Sequence, residues 1–220
     1  MSLVSSALRR LAGLTVVAGW SLAHAQQPVA PTGNAATSAT NAPPPLRFSS
    51  QREFIPNAGP VARGQVHSRS NRLAFLYPPD TMARQDPTQR RMTFVARDDS
   101  YSLAVQLHDA EPVSVTNYTA EAWRTQLASR HADLQELEAF TGHALGTNGP
   151  ALDFAWRTVG GHRLYSRAIL LPVPGGRVEV LLLAEKDKFE AAKHSMNTLL
   201  LTLRRSGPEG EVVQPVVVPD

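Results

Sequence analysis

Histidine and carboxylate side chains can together bind a metal ion. His108, Asp109 and Glu111 lie close together at the predicted end of a strand. Metal binding requires ligands that converge at set spacings. The chain has no His-x-His, His-Glu-x-x-His or His-x3-His pattern, and its cysteine count is 0. We therefore expect neither a metal site nor a bound cofactor.

Nucleophilic catalysis requires a nucleophile held beside a base. The chain has no Gly-x-Ser-x-Gly motif. Ser195 follows His194, but adjacent residues on a helix point about 100° apart and cannot pair in this way. Glu136 and Glu138 share one side of a predicted strand, whereas glycosidases oppose two carboxylates across a cleft. The sequence predicts no catalytic residues and a protein that is not an enzyme. A hydrolase assembled from distant segments is the least favoured alternative.

Arginine is the charged residue type that suggests a binding surface. Arg84, Arg90 and Arg91 lie in the polar segment Asp80 to Arg91, which is predicted to be a loop, and Tyr77 ends the strand before it. Guanidinium groups bind carboxylates and phosphates through paired hydrogen bonds. These four residues are therefore the predicted partner-binding site, and the alternative is a solvated loop whose charge Asp80 and Asp86 partly neutralise. The anionic partner would be a lipid head group, a lipopolysaccharide phosphate or an acidic protein patch.

A second possible site is aromatic. Trp123 belongs to a predicted helix, and Phe154 and Trp156 alternate on a predicted strand. If these rings lined a pocket between helix and sheet, the protein would carry a lipid or another small molecule.

The first 25 residues have the pattern of a secretory signal peptide. Arg9 and Arg10 precede an apolar run over 11–22, and Ala23-His24-Ala25 supplies the small residues of a cleavage site. A membrane span needs about 18 or more apolar residues, so the run is too short. We expect cleavage after Ala25, no transmembrane anchor afterwards, and a periplasmic or secreted protein.

Charge and composition limit the classes of partner that are expected for this chain. The chain has 22 basic and 19 acidic residues, a net charge of +3. Without Arg9 and Arg10 the balance is 20 minus 19, or +1, so no nucleic-acid partner is predicted. Without cysteine, neither disulfides nor lipid attachment through that residue is possible. Residues 26–60 are rich in Ala, Pro and Thr and predict a flexible linker, and 206–220 predict a disordered tail.

Residues 61–205 form the predicted folded domain. Apolar alternation and turn residues predict strands over 73–77, 92–97, 101–107, 137–141, 151–159, 162–173 and 177–184. Gly142, Gly146 and Gly149-Pro150 predict a loop, and Gly160-Gly161 predict a tight turn with two positive-φ residues.

Helical periodicity predicts two helices. The first covers 114–132, is capped by Asn117 or Thr119, and buries Ala120, Trp123 and Leu127. The second begins near Asp187, buries a stripe of Phe189, Ala192, Met196 and either Leu199 or Leu200, and closes with Leu203-Arg204-Arg205. The expected fold class is α+β, with an antiparallel sheet of about five to seven strands and two main helices packed on it.

Three local patterns resemble the PsbP-like fold family. They are the strand end Phe75-Leu76-Tyr77-Pro78, the helix that starts near Asn117-Tyr118, and the hairpin and helix from Arg177 through Phe189. The resemblance covers roughly Val66 to Arg204. The family includes lumenal extrinsic proteins of photosystem II, bacterial DcrB-like envelope proteins and effector-associated chaperones of type VI secretion.

The resemblance implies a non-enzymatic α/β sandwich that binds other proteins or supports their assembly. The family has no common catalytic residues, so none is transferred to this chain. DcrB-like proteins are commonly lipoproteins and the secretion chaperones are cytoplasmic. This chain lacks a lipidation cysteine and has the signal pattern. We expect an accessory protein of the bacterial envelope, bound to an envelope protein, with the carrier as the alternative.

Overall fold

The computed structural model describes residues 47–55, 59–67, 71–78, 80–86, 90–109 and 119–206. The predicted signal peptide and residues 207–220 of the predicted tail lie outside these ranges. Within the described ranges, no helix has the length and apolar character needed to cross a membrane.

The described residues form two antiparallel sheets and two helices. The four-stranded sheet has the order β1-β2-β3-β11, and the seven-stranded sheet has the order β4-β5-β6-β10-β9-β8-β7. In chain order the elements are β1 (Arg47–Ile55), β2 (Gly59–His67), β3 (Arg72–Tyr77), β4 (Thr81–Asp86), β5 (Arg91–Ala96), β6 (Tyr101–Asp109), α1 (Ala120–Arg130), β7 (Gln135–Ala144), β8 (Thr147–Arg157), β9 (Arg163–Val173), β10 (Gly176–Ala184), α2 (Lys186–Thr202) and β11 (Arg204–Arg205). The predicted α+β class is confirmed, with two sheets in place of the single one expected.

The seven-stranded sheet has an apolar cluster on each face. On one face its side chains pack with the four-stranded sheet and α2, and Phe94 meets Phe75 edge to face at 5.6 Å between ring centroids. On the other face Trp123 and Leu127 of α1 pack against Phe154 and its neighbours. Alternate residues of a strand point to opposite faces, so β8, β9 and β10 supply both clusters.

Helix α2 follows its apolar period closely. The predicted stripe of Phe189, Ala192 and Met196 is buried, and the helix buries both Leu199 and Leu200, between which the sequence did not decide. The helix ends at Thr202, and Arg204–Arg205 then pairs with β3 as the short strand β11. The prediction that these arginines close the helix is therefore wrong, because the chain turns into the four-stranded sheet as soon as the apolar stripe ends.

Helix α1 is shorter than predicted. Thr119, one of the two proposed caps, accepts a hydrogen bond at Oγ1 from the Ala122 N–H at 3.1 Å, and Glu121 lies in the first turn. Trp123 and Leu127 are buried as predicted, but Ala120 is exposed. Asn117, the other proposed cap, lies outside the described residues.

Two strands occupy segments predicted to be irregular. Strand β1 lies inside the segment assigned to a linker and pairs with β2 along its whole length. Strand β4 lies inside the predicted Asp80 to Arg91 loop and pairs with β5. Both are edge strands with many exposed polar side chains, so neither shows the apolar alternation that reveals a strand in sequence.

The glycine-rich segment after β7 is also more regular than predicted. Gly142 lies within β7 and Gly149-Pro150 within β8, so the predicted loop contracts to a turn at Leu145 and Gly146. Both turn residues have positive φ, 59° and 71°, as a two-residue hairpin turn requires. In the next hairpin only Gly161 of the Gly160-Gly161 pair has positive φ.

Candidate functional site

The predicted arginines lie at one edge of the seven-stranded sheet. Arg84 is exposed on β4, Arg91 is half-buried at the start of β5, and Arg90 precedes it with a φ of 52°. Thr93 pairs with Arg84 and lies two residues from Arg91. Because paired residues and alternate residues share a face, the structure brings Arg84 and Arg91 to the same face of this edge. Their role in binding stays a prediction.

Tyr77 lies apart from these arginines. It is 9% exposed, its ring stacks on Phe94 at 4.6 Å, and its hydroxyl is hydrogen-bonded with the Ser50 hydroxyl. The expected exposed strand rim is not observed here. Ser50 belongs to β1, a strand within the segment predicted to be a linker. This strand helps to enclose the Tyr77 ring.

The structure brings together the three aromatic residues of the alternative site. Trp123, Phe154 and Trp156 are 1%, 0% and 7% exposed and belong to one apolar cluster. Trp156 Nε1 donates a hydrogen bond to Ser166 Oγ at 2.9 Å, and the His131 ring packs on Phe154 and Trp156. These side chains form the core between α1 and the sheet.

A buried carboxylate, Glu179, lies on the α1 side of the same sheet. It is 4% exposed. Arg130 at the end of α1 donates from Nη1 to both carboxylate oxygens, at 3.1 and 3.0 Å. His108 on β6 places Nε2 3.3 Å from Oε2. The Arg130 guanidinium also lies over the Trp123 ring, 5.1 Å from its centroid, so its second contact is a cation–π interaction.

These contacts keep the carboxylate charged. Burial by itself would raise the pKa of Glu179, but the hydrogen bond with His108 and the charge and hydrogen bonds of Arg130 lower it to about 2. A buried charge is tolerated only when it is paired in this way.

Sheet register places two more arginines near Glu179. Gln106 pairs with Glu179 on one side and with Arg91 on the other, so the three form a row on one face. Arg177 lies two residues from Glu179 and pairs with His108. Burial lowers the pKa of Arg91, and the negative charge of Glu179 opposes that shift. The term Glu179 cluster is used below for Arg91, His108, Arg130, Arg177 and Glu179.

Sequence reasoning found Arg91 of this cluster but missed Glu179, Arg130 and Arg177. A local signal was present, because Arg177 and Glu179 alternate with valines in a strand otherwise predicted to be covered on both faces. Charged residues at period two in such a strand indicate buried partners. His108, which the sequence places beside Asp109 and Glu111, contacts Glu179.

Ser195 and His194, the adjacent serine and histidine of the sequence analysis, have structural contacts. The Tyr101 hydroxyl forms a hydrogen bond with Ser195, and burial raises the pKa of Tyr101 despite it. His194 places Nδ1 3.4 Å from the Glu190 carbonyl oxygen. Across the part of the chain that the structure describes, no three histidine or carboxylate side chains are grouped to hold a metal ion.

His131 gives the folded protein a defined pH dependence. Burial and the charge of Arg130 lower the pKa of His131 from 6.5 to about 4. The unfolded chain therefore takes up a proton between these values before the folded chain does, and the free energy of unfolding should fall as pH drops from 6.5 to about 4. Urea denaturation at several pH values should show this fall and should show it reduced in His131→Gln.

His143→Gln, which replaces an exposed histidine, is measured beside His131→Gln as the matched comparison. Part of the fall should survive in His131→Gln, because burial also lowers the pKa of His67. An equal fall in the parent and His131→Gln would show that His131 is not held neutral in the folded state.

No protein-family model matches the sequence, and no curated protein matches it. Several solved structures are similar in arrangement. The cyanobacterial PsbP (CyanoP) from Synechocystis sp. PCC 6803 is 13% identical, with 79% of this chain and 98% of that chain covered and a TM-score of 0.48. The Saccharomyces cerevisiae Ran-binding protein Mog1p is 15% identical, with coverage of 70% and 86% and a TM-score of 0.40.

LpqN, involved in cell envelope biogenesis of Mycobacterium tuberculosis, is 11% identical, with coverage of 74% of this chain and 92% of that chain and a TM-score of 0.37. All three TM-scores are below 0.5, so nothing about the function of this chain follows from them.

Proposed function

We propose that this protein is an exported, non-enzymatic accessory protein of the bacterial cell envelope that binds another protein along strand β4. The N-terminal signal pattern supports export to the periplasm, and the PsbP-like sequence patterns support a binding role. The observation that carries the proposal is that β4 is a regular, exposed strand at the edge of the seven-stranded sheet.

An edge strand has one row of backbone N–H and C=O groups available for another chain. Met82, Ala83, Arg84 and Gln85 of β4 are all exposed, and β4 keeps an unbroken register with β5. A partner segment in extended conformation would continue the sheet and contact side chains on both faces of β4.

The opposite edge of the sheet is protected in ways that proteins commonly use against strand pairing. Strand β7 has a register shift between Glu136 and Glu138, and both side chains are acidic and exposed. Bulges and charged side chains hinder the addition of another strand. This contrast favours β4 over β7 as the docking edge.

Charge indicates the chemistry of the partner. Arg84 projects from the middle of β4, and Arg91 lies on the same face one strand away. Arginine and methionine are enriched at protein interfaces, and an arginine fork pairs with carboxylates. The partner segment should therefore be extended and should carry an acidic side chain opposite Arg84.

Affinity capture with the tagged protein lacking residues 1–25 tests this role. Arg84→Glu should reduce capture of the envelope partner by about tenfold or more, because like charges then face each other across the interface. Arg157→Glu is the matched control, since Arg157 is an exposed arginine on the other face of the sheet, and capture should be unchanged. Equal capture by both variants, with equal melting temperatures, would remove β4 from the interface.

A further inference from the structure

One end of the four-stranded sheet carries a row of basic residues. The register pairs Arg47 of β1 with His67 of β2, and His67 with Arg72 of β3. Paired residues share a face of a sheet, and the sequence neighbours Val66 and Leu73 point into the core. The three basic side chains therefore project from the outer face of this sheet, and they are called the Arg47 row below.

The members of the Arg47 row lie close enough to interact. Burial, and then the positive charges of Arg72 and Arg47, lower the pKa of His67. The next positions on the same face are Ser49, Gln65, Ala74 and Arg204. Neither these positions nor the Arg47 row include an acidic residue, so an acidic chain segment is attracted to this end of the sheet.

The Arg47 row can bind carboxylates at the surface of the protein. Arg47 and Arg72 are exposed, so an acidic side chain reaches their N–H groups directly from solvent. Arg72 has a further interaction within the structure. That interaction leaves the row able to bind, because a guanidinium group has five N–H donors and can serve more than one acceptor.

The last described residue lies beside the Arg47 row. Ser206 donates its backbone N–H to the Arg72 carbonyl oxygen at 2.9 Å and so continues the pairing of β11 with β3. The next two residues, Gly207-Pro208, are a pair that favours a turn. The charged residues of 207–220 are Glu209, Glu211 and Asp220. All three are acidic, so this segment and the row have opposite charges.

The spacing of the first two acidic residues matches the spacing of the row. Neighbouring strands lie about 4.8 Å apart, so His67 is about 10 Å and Arg47 about 14 Å from Ser206 across the sheet. An extended chain spans about 3.4 Å per residue, so three residues reach about 10 Å and five reach about 17 Å. Glu209 is three residues beyond Ser206 and Glu211 is five. Both can therefore reach the row within one molecule.

We propose that residues 209–211 bind the Arg47 row of the same molecule. Glu209 contacts the Arg72 side of the row, and Glu211 contacts its Arg47 side. Each carboxylate accepts charge-assisted hydrogen bonds from the exposed basic groups. The bound segment links β11 to β1 across the end of the sheet and holds this edge strand in place. The site belongs to a different sheet from β4 and does not depend on the docking proposed there.

Disulfide trapping tests this contact, because the chain has no cysteine of its own. Ser49→Cys lies on the same face as Arg47, and Val212→Cys follows Glu211. A disulfide requires the two Cα atoms to come within about 7 Å. Ala139→Cys with Val212→Cys is the matched control, since Ala139 is exposed on β7 of the other sheet. The first pair should cross-link about tenfold faster or more, because a bound segment raises the effective concentration.

Charge reversal separates specific binding from chance collision. Glu209→Lys with Glu211→Lys should slow the first cross-link to the rate of the control pair. Arg47→Glu with Arg72→Glu, added to the lysine variant, should restore the faster rate because opposite charges face each other again. A folding defect would not be repaired by this second reversal, so the restored rate reports binding.

A non-reducing gel shows whether the cross-link lies within one molecule. A monomeric product supports the proposal, and a disulfide-linked dimer overturns it. The proposal is also overturned if the two cysteine pairs react at equal rates or if the lysine variant reacts as fast as its parent. It fails as well if the second reversal restores nothing while the melting temperature is unchanged. None of these outcomes involves an envelope partner, so they are separate from the test of β4.

Discussion

Replacement of Asp153 by alanine should lower the free energy of unfolding by about 3–5 kcal/mol, as expected when one member of a buried ion pair is removed. Asp153 on β8 is 2% exposed. Its two oxygens accept hydrogen bonds from Arg167 Nε and Nη2 at 2.7 and 2.8 Å, and Lys193 Nζ of α2 lies 3.0 Å away. Without the carboxylate, two largely buried cations face each other. Urea denaturation followed by circular dichroism measures the loss.

Glu190→Ala is the control for Asp153→Ala. Glu190 also contacts Lys193, at 2.7 Å, but its side chain is 79% exposed. Exposed ion pairs contribute little because water screens them, so the change should be below about 1 kcal/mol. Similar losses in the two variants would show that burial does not determine the strength of this network.

Replacement of Gly149 by alanine should be at least as damaging, with a loss of about 3 kcal/mol or more. A Cβ atom at Gly149 would lie 1.7 Å from the Leu170 carbonyl oxygen of β9. That oxygen belongs to the backbone of a central strand, so the clash cannot be relieved by turning a side chain. Thermal or urea unfolding measures the effect, and failure to obtain folded protein is an equivalent result.

Gly146→Ala separates this steric effect from backbone conformation. Gly146 has a φ of 71° and no atom near the position of an added Cβ. Its replacement should cost about 1 kcal/mol, the penalty for a left-handed residue with a side chain. If Gly149→Ala were tolerated as well as Gly146→Ala, the result would contradict the close approach of Gly149 on β8 to the Leu170 carbonyl oxygen on β9.

The sequence predicted the parts of the fold whose burial has a period. The α2 stripe was predicted at Phe189, Ala192 and Met196, because a helix that packs on a sheet buries one face. The hairpins β5–β6, β8–β9 and β9–β10 were predicted from apolar alternation and turn residues, which are aspartates in the first hairpin and glycines in the other two. Strands β1 and β4 were missed, because backbone pairing at a sheet edge leaves no apolar period to read.

The candidate sites show the same division. The group of Arg84, Arg90 and Arg91 was visible because its members are close in sequence. The contacts of Glu179 with Arg130 and His108 join residues 49 and 71 positions apart, and only the sheet register and the packing of α1 bring them together. Local patterns cannot supply such pairings.

A photo-reactive amino acid placed on each edge of the seven-stranded sheet tests the docking role of β4 most directly. Ala83 on β4 and Ala139 on β7 are both exposed alanines on edge strands, so they form a matched pair. Irradiation of envelope extract should cross-link a partner protein at position 83, with little product at position 139. A cross-link at position 139 with none at position 83 would contradict β4 docking, and so would the absence of product at both positions.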